Sequence, residues 1–242
     1  MTKLKIIIIG YGKMGKEIEA IALQRGHSII HKIDDPEDWT QLDLISEADV
    51  AIDFSVPNIA LDNMRRCMSL LLPLVIGTTG WYDHMQEIEE EVKRTNASIL
   101  WASNFSLGVN ILFQFNKKLA EVMSRFPEYR PHIHEIHHIQ KTDAPSGTAI
   151  SIAEGIISEY KNLDRWELQE NTTIAPSHLT ISHERIGQVP GTHEITYTSE
   201  VDRISLRHEA KNRKGFAIGA VMAAEWLLGK KGFFNMKDVL GF

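Results

Sequence analysis

The chain has 242 residues, of which 43% are apolar and 24% charged, so it is long enough for one large domain or two modest ones with buried cores. Its net charge of −6 argues against a nucleic-acid partner, because such proteins need a dense basic face. The single cysteine, Cys67, excludes an intrachain disulfide framework, and no apolar run reaches the length of a membrane span. We therefore expect a cytoplasmic protein with no membrane partner.

The chain begins with a pattern that predicts a strand, a glycine-rich turn and a helix. Lys5 to Ile9 reads as a buried parallel strand, and Ser28 to Ile33 as a second strand that ends at Asp34. Between them stands the predicted cofactor loop, Gly10, Tyr11, Gly12, Lys13, Met14 and Gly15. In this βαβ context the three glycines permit a tight turn, a close approach to a pyrophosphate and helix–strand packing. The pattern favours dinucleotide binding over a purely structural glycine turn.

The residues at the end of the second strand bear on which dinucleotide binds. Asp34 lies where an acid accepts hydrogen bonds from the adenosine ribose. Together with Asp35 it would repel a 2′-phosphate, which predicts a modest preference for NADH. Lys32 and His31 on the same strand leave NADPH open as the alternative.

Three further strand–helix alternations follow. Strands are predicted at 49–54, 73–76 and 98–102, and the second and third end in polar segments. These segments could be polar turns, part of a ligand site, or both at once. They are Gly77, Thr78 and Thr79, and then Ser103, Asn104, Phe105 and Ser106. The alternation predicts an α/β Rossmann-type domain.

The pattern changes after Gly108. A helix is predicted at 110–124, with Ile111, Phe115, Leu119 and Val122 on one face. Strands are predicted at 132–138, 172–178, 179–185, 191–199 and 202–208, and helices at 147–160 and 216–228. This succession is typical of an α+β domain with an antiparallel or mixed sheet, and a broad sheet with few covering helices suggests a homo-oligomer.

The stretch from Glu135 to Ala149, EIHHIQKTDAPSGTA, combines proton carriers with a helix start. His137 and His138 titrate near neutrality, and Lys141 is a compact cation. Gly147 and Thr148 open a helix, whose first N–H groups attract an anion such as a carboxylate. Beside a dinucleotide domain, this arrangement predicts reduction of a small carboxylate-bearing molecule.

Two plainer interpretations compete with this one. His132, His134, His137 and His138 could form a metal cluster, but no cysteine lies nearby, and we expect no metal site. Lys141 alone would be a surface lysine, and the Ser-Gly-Thr step alone would be an ordinary helix cap. Their conjunction favours a functional site.

This stretch resembles the signature of the 4-hydroxy-tetrahydrodipicolinate reductase family, E-x-H-H-x-x-K-x-D-x-P-S-G-T-A, at every fixed position. The resemblance extends to GYGKMG, IDFS, GTTG, SNFSLGVN, RIGQVPGTHEITY and HEAKNRKGFAIGA, so nearly the whole chain is collinear with the family. These enzymes belong to diaminopimelate and lysine biosynthesis.

The resemblance implies a role for each residue of the site. His137 matches the proton donor or acceptor, and Lys141 a second proton donor. His138 matches a substrate-binding histidine, and Gly147 and Thr148 the pair that holds a substrate carboxylate. The glycine loop and Asp34 match cofactor positions, and the segments 77–79 and 103–106 match the nicotinamide side. Hydride transfer from NAD(P)H to a cyclic dicarboxylate is the expected reaction.

The resemblance also implies a domain organisation. A Rossmann dinucleotide-binding domain, residues 1–107, would be closed by residues 214–242, and residues 108–213 would form an α+β substrate-binding domain that builds a tetramer. Closure of the two domains is expected about hinges near 106–110 and 211–215.

The chain departs from the family pattern in two places. Its glycine loop is one residue shorter than the usual G-x-x-G-x-M-G, and Asp35 stands where many members have a basic residue, which bears on the usual dual use of NADH and NADPH.

Two other functions stay open at this point. One is a dinucleotide-binding sensor without turnover. The other is a related diaminopimelate or aspartate-semialdehyde dehydrogenase, of which the latter would need a catalytic cysteine.

Overall fold

The computed structural model describes residues 2–170 and 175–242 of the chain. The chain folds as two compact units, one formed by the residues up to Ser106 together with Arg213–Phe242 and the other by Leu107–Asn212. We call them the first unit and the second unit. The domain boundaries predicted from the sequence lie one residue further along the chain at both crossings.

The N-terminal segment of the first unit alternates strands and helices. Its elements are β1 (Lys5–Ile9), α1 (Lys13–Gln24), β2 (Ser28–Ile33), α2 (Leu42–Ser46), β3 (Val50–Asp53), α3 (Pro57–Ser69), β4 (Leu74–Ile76), α4 (Met85–Thr95) and β5 (Ser98–Trp101). Short 3-10 helices at Pro36–Thr40 and Tyr82–His84 connect some of them.

The second unit and the C-terminal segment complete the chain. The second unit contains α5 (Leu107–Met123), β6 (Arg130–His137), α6 (Gly147–Ile157), β7 (Arg165–Leu168), β8 (His178–Arg185), β9 (Thr192–Thr198) and β10 (Arg203–Glu209). The C-terminal segment, which returns to the first unit, contains α7 (Lys214–Leu227), β11 (Gly232–Asn235) and α8 (Met236–Leu240).

In the described part of the first unit, six parallel strands form one sheet in the order β11-β5-β4-β3-β1-β2. Apolar side chains cover both faces of the central strands, which explains the unbroken isoleucine run in β1. Strand β2 lies on one side of β1, and β3, which follows it in the chain, lies on the other side, so the direction of strand succession reverses at β1. This reversal creates a crevice at the carboxyl ends of β1 and β3, where doubly wound folds bind ligands.

Helix α7 lies against this sheet through small residues. Its buried side includes Ala217, Ala220 and Ala224. At Gly219 an added Cβ would lie 1.7 Å from the carbonyl oxygen of Phe105, so only glycine permits the observed approach. The alanine-rich C-terminal sequence is thus part of the core of the first unit, as the family resemblance implies.

The second unit contains a mixed sheet, which within its described residues has five strands in the order β10-β9-β6-β8-β7. Strand β6 is parallel to β8 and antiparallel to β9. One face, with Ile133, Ile181 and Ile195, packs in an apolar core with residues of α5 and α6. The alternation of side chains places polar residues such as His132 and Thr180 on the opposite face.

Several predictions from the sequence differ from the structure. On α5 the buried residues are Val109, Leu112, Asn116, Ala120 and Met123. Of the predicted apolar face, Leu119 packs against the core, but Ile111, Phe115 and Val122 are exposed, so most of this face does not meet the core. The helix is apolar on several sides, and periodicity alone does not identify the inward one.

The strands also differ from those predicted from the sequence. Residues 172–174 of the predicted strand 172–178 lie outside the described residues, residues 175–177 form a coil and turn, and β8 begins at His178. The strands β7 and β11 were not predicted. Among the described residues, none of the helices combines the length and apolar character that crossing a membrane requires.

Candidate active site

A cavity of about 530 Å³ lies in the first unit at the carboxyl ends of β1 and β3. Of the predicted cofactor residues, its lining includes Gly10, Tyr11, Gly12 and Asp34. The loop that follows β1 therefore lies beside the end of β2, as the dinucleotide fingerprint requires.

The three glycines of this loop differ in their surroundings. An added Cβ at Gly10, whose φ is +84°, would lie 2.6 Å from Ser55 Cα, and one at Gly15 would lie 2.4 Å from the Gly10 carbonyl oxygen. Both glycines are thus required by protein packing. At Gly12 an added Cβ would meet nothing within 4 Å. The space over Gly12, at the start of α1, suits a phosphate group of a dinucleotide.

The acids after β2 are held in place by the backbone. Asp34 Oδ1 accepts a hydrogen bond from the Tyr11 N–H at 2.7 Å, which ties β2 to the glycine loop. Asp35 and Asp38 form a capping box at the start of the 3-10 helix Pro36–Thr40. Both Asp34 and Asp35 line the cavity. These two carboxylates, which would repel a 2′-phosphate, are therefore held at the edge of the cavity.

The lysine considered as a partner for a 2′-phosphate is already paired. Lys32 Nζ lies 2.8 Å from Glu19 Oε1 and 3.9 Å from the centre of the Tyr11 ring. The Tyr11 hydroxyl also donates to Glu19. Glu19 thereby raises the pKa of Lys32 through their hydrogen bond.

Sequence reasoning missed other residues of this cavity. Its lining also includes Trp39, Asp62 and Arg66. The Arg66 guanidinium lies 5.4 Å from the centre of the Trp39 ring. Arg66 is the only lysine or arginine in the described lining, facing three aspartates. No motif in the sequence marks this pair, because Trp39 lies in the 3-10 helix Pro36–Thr40 and Arg66 lies in α3.

The other predicted cofactor residues are outside the lining of this cavity, and several have structural contacts. Thr78 Oγ1 donates to the buried Asp53 at 2.8 Å. Asn104 Oδ1 accepts from the Ser106 N–H at 2.8 Å, and Phe105 is buried against Phe54. Lys13, Met14, Gly15, Gly77, Thr79 and Ser103 are likewise absent from that lining. The segments 77–79 and 103–106 follow β4 and β5, which are adjacent strands.

The second unit places the proton carriers at the end of β6 and in the loop after it. His137 is the last residue of β6 and is 7% exposed. Lys141 is in the loop, where its Nζ donates to both carboxylate oxygens of Asp143 at 2.7 and 2.8 Å. His138 is partly buried. The Nδ1 atoms of His137 and His138 have no hydrogen-bond partner among the described residues.

Burial is the main cause that lowers the pKa of His137, and the charges of His193, Lys141 and Arg185 also lower it. The charge of Glu135 opposes them, and the net pKa is about 4. His137 is therefore neutral at pH 7. Gly191 lies against the ring, since an added Cβ there would be 3.1 Å from His137 Nε2. Glycine at this position leaves room for the imidazole.

Helix α6 begins beside these residues. Ser146 is its N-cap, and the Ser146 hydroxyl accepts from the Ala149 N–H at 3.1 Å. Gly147 is exposed, and an added Cβ there would meet nothing within 4 Å. Thr148 follows in the first turn and is partly buried. The start of α6 is linked to His137 through Glu135, and a helix start is suited to a carboxylate.

A buried carboxylate that the sequence analysis did not select connects these parts. Glu135 is fully buried, and the Ser146 N–H donates to it at 3.1 Å. Arg185 Nη2 donates to Glu135 Oε1 at 3.1 Å. Burial raises the pKa of Glu135, but its contacts with His193 and Ser146 and the charge of His137 outweigh this and lower it to about 2. Glu135 is therefore ionised at neutral pH.

Three histidines of the HxHxxHH pattern, His132, His134 and His137, lie on β6 and are divided between the two faces of the sheet. His132 Nε2 and His134 Nδ1 each lie 2.8 Å from the Ser182 hydroxyl on β8. His137 instead lies near Glu135 and His193, a group whose ligand atoms are within 4.8 Å of one another. The Arg185 guanidinium and the Ser146 N–H already bind this carboxylate, and a neighbouring cation opposes a metal ion. The donor set is therefore better suited to hydrogen bonding than to metal binding.

Comparison with known proteins gives the same assignment along nearly the whole chain. Residues 4–105 match the family model described as dihydrodipicolinate reductase, N-terminus, and residues 108–240 match dihydrodipicolinate reductase, C-terminus. A protein of Christiangramia forsetii named 4-hydroxy-tetrahydrodipicolinate reductase is 46% identical, over 98% of this chain and 98% of its own length. A protein of the same name from Rickettsia bellii is 38% identical, over 94% and 90%.

A solved structure shows the same fold. The dipicolinate-bound dihydrodipicolinate reductase from Paenisporosarcina sp. TG-14 aligns with a TM-score of 0.77 at 22% identity, over 97% of this chain and 98% of that one. The chain therefore belongs to the dihydrodipicolinate reductase family and is an NAD(P)H-dependent reductase of the diaminopimelate and lysine pathway that acts on 4-hydroxy-tetrahydrodipicolinate.

Proposed function

We propose that the second unit binds the cyclic dicarboxylate and protonates it, with His137 and Lys141 as proton carriers and His138, Gly147 and Thr148 as the carboxylate-binding group. The observation that supports this most strongly is the arrangement around the ion pair of Glu135 with Arg185. The buried His137 and the start of α6 contact Glu135, and the loop that contains Lys141 contacts Arg185. When bound, the nicotinamide supplies a hydride to a ring carbon.

The protein's own residues then control the proton. Lys141 Nζ is paired with the Asp143 carboxylate, whereas His137 is neutral at pH 7 because its pKa is about 4. A substrate with two carboxylates brings negative charge to His137 and raises its pKa. Either residue can then protonate the carbon or nitrogen that carries the developing negative charge. The hydroxylated and the dehydrated ring both fit this scheme.

The direct test of the reaction is the loss of NADH absorbance when the purified protein receives the freshly made product of the aldolase-type synthase. Turnover that depends on both NADH and this product supports the proposal. Cofactor binding without turnover would instead support a dinucleotide-binding sensor.

A dehydrogenase that uses a catalytic cysteine is disfavoured by the position of Cys67. This residue is fully buried in α3, and burial raises its pKa far above the ordinary value of a thiol. The thiolate, which is the nucleophilic form, is therefore scarce.

We also propose a modest preference for NADH over NADPH. Asp34, Asp35 and Asp62 line the cavity, and Lys32 is paired with Glu19. A 2′-phosphate would add about two negative charges beside these acids. Arg66 is the opposing feature, because it offers one cation at the same edge. Steady-state kinetics with both cofactors test the preference, and a clear NADPH advantage would contradict it.

We propose in addition that the protein is a cytoplasmic homo-oligomer, with a tetramer as the state to test. On α5, Phe115 is 62% exposed and lies on one face with Ile111 and Val122, which are also exposed. A second copy of the chain would bury this face. Light scattering of the native protein and of Phe115→Glu measures the oligomeric mass. A monomeric native protein would contradict the proposal.

A further inference from the structure

Arg185, at the end of β8, contacts the loop that carries Lys141 through its main chain. Its Nε donates to the Lys141 carbonyl oxygen at 3.2 Å, and its Nη2 donates to the Asp143 carbonyl oxygen at 2.7 Å. These bonds involve the loop backbone and not the Lys141 ammonium. They fix where the lysine leaves the main chain, while Asp143 holds its side chain.

The same guanidinium reaches the interior of the second unit. Arg185 Nη2 also donates to Glu135 Oε1 at 3.1 Å, and the arginine side chain is only 17% exposed. One planar group therefore joins two loop carbonyls to a buried carboxylate. Arginine can do this because its donors form a rigid fork, whereas a lysine offers a single ammonium.

Glu135 continues the connection from Arg185 to the helix start and the histidines. Its two oxygens lie 3.1 and 3.2 Å from the Ser146 nitrogen, at the N-cap of α6. Its Oε2 lies 3.5 Å from His137 Nδ1 and 3.7 Å from His193 Nε2. The carboxylate thus faces the imidazole of the proton carrier and the residue that precedes Gly147.

The pair therefore lies between three parts of the site that are separate in the sequence. The distance along the chain from Glu135 to Arg185 is 50 residues. The loop with Lys141, the ring of His137 and the start of α6 each contact one or both members. Loss of either partner would leave a buried charge without its counter-ion. The loop, the histidine ring and the start of α6 would then no longer be held in place relative to one another.

Resting on the function proposed above, we propose that Glu135 and Arg185 are positioning residues that hold His137, the Lys141 loop and the start of α6 in the arrangement needed for proton transfer. They act through these residues and are not themselves proton carriers. Small errors in the placement of reacting groups cost large factors in rate, so their loss lowers turnover more than it lowers binding of a dicarboxylate.

The test compares Glu135→Gln and Arg185→Lys with matched controls. Glu184→Gln changes an exposed acid of β8 that pairs with His134, and Arg207→Lys changes an exposed arginine of β10. Each variant is measured for kcat, for the dissociation constant of dipicolinate and for the titration of the His137 ring by NMR. Thermal unfolding shows whether each variant is folded.

We expect Glu135→Gln and Arg185→Lys to lower kcat by about tenfold or more while changing dipicolinate binding by less than about threefold. The controls keep the native kcat. Since the charge of Glu135 favours protonated His137, Glu135→Gln also shifts the His137 titration to lower pH. Folded variants with native kcat and an unchanged titration would overturn the proposal.

Two outcomes separate this inference from the proposed function. A loss of dipicolinate binding above about a hundredfold in Arg185→Lys, with little change in kcat, would make Arg185 a direct ligand of the substrate and overturn the positioning role. The titration shift of His137 in Glu135→Gln requires no turnover, so it can be observed even if His137 proves not to be the proton carrier. If Glu135→Gln does not fold, Arg185→Lys, which keeps the charge, decides the outcome.

Discussion

Each unit contains a buried carboxylate, and the two have different partners. Asp53, at the end of β3, accepts from the Ser55 N–H, from Asn63 and from Thr78, all of which are neutral donors. Glu135, in β6, lies beside Arg185 and two histidines. Burial raises the pKa of Asp53, whereas the contacts of Glu135 with His193, Ser146 and His137 outweigh burial and lower its pKa to about 2.

This difference follows from what each unit has to do. Asp53 joins the loops that follow β3 and β4 through its hydrogen bonds with Ser55 and Thr78. Around Glu135 the protein has placed charges that can be coupled to proton transfer. In the function proposed above, the first unit binds the dinucleotide and the second carries out the acid–base chemistry.

The largest expected effect is the loss of the proton carriers. His137→Ala and Lys141→Ala should each lower kcat by at least about 10², because a positioned acid contributes this much, with little change in cofactor affinity. His183→Ala and Lys118→Ala, which change exposed residues, are the matched controls. Near-native turnover in both site variants would contradict the assignment of the proton transfer to the second unit.

Two substitutions in the glycine loop test whether the first unit has the binding role. Gly15→Ala should lower the free energy of unfolding by about 1–3 kcal/mol, because its Cβ would meet the Gly10 carbonyl oxygen. Gly12→Ala should leave stability nearly unchanged and weaken dinucleotide binding, since the space over Gly12 is open. Chemical denaturation and NADH titration measure the two effects. Equal losses of stability in both variants would contradict the assignment.

The two carboxylates should respond to acid in opposite directions. Glu135 has a folded-state pKa below its ordinary 4.5, so its contribution to stability is present above that pH and is lost as the pH falls towards 2. Asp53 has a raised pKa, so its protonation opposes this loss. Glu135→Gln should therefore be less sensitive than the native protein to acid below pH 4.5, and Asp53→Asn more sensitive. Unfolding curves measured between neutral and acid pH test this, and identical slopes would contradict it.

Much of this organisation could be predicted from the sequence, because it depends on local patterns. The isoleucine run of β1, the glycine loop and Asp34 stand in a spacing that the dinucleotide crevice imposes. The EIHHIQKTDAPSGTA stretch likewise places His137, Lys141 and the start of α6 within a short distance along the chain. In both cases a single segment contains the candidate functional residues together with the turn or helix start that positions them.

What the sequence did not reveal depends on contacts between distant segments. Glu135 appeared as a strand residue, and only the parallel pairing of β6 with β8 brings Arg185 to it. Trp39 and Arg66 meet in the same way at the dinucleotide cavity. On α5 apolar residues occur around most of the helix, so the direction of the core is set by the sheet and not by the helix's own period.

The charge state of His137 tests the central claim most directly, since the account requires a neutral imidazole that gains its proton when a dicarboxylate binds. NMR titration of the His137 ring should give a pKa of about 4 in the free protein, and a higher value when dipicolinate is bound. A pKa near the ordinary 6.5 that dipicolinate does not change would contradict the account.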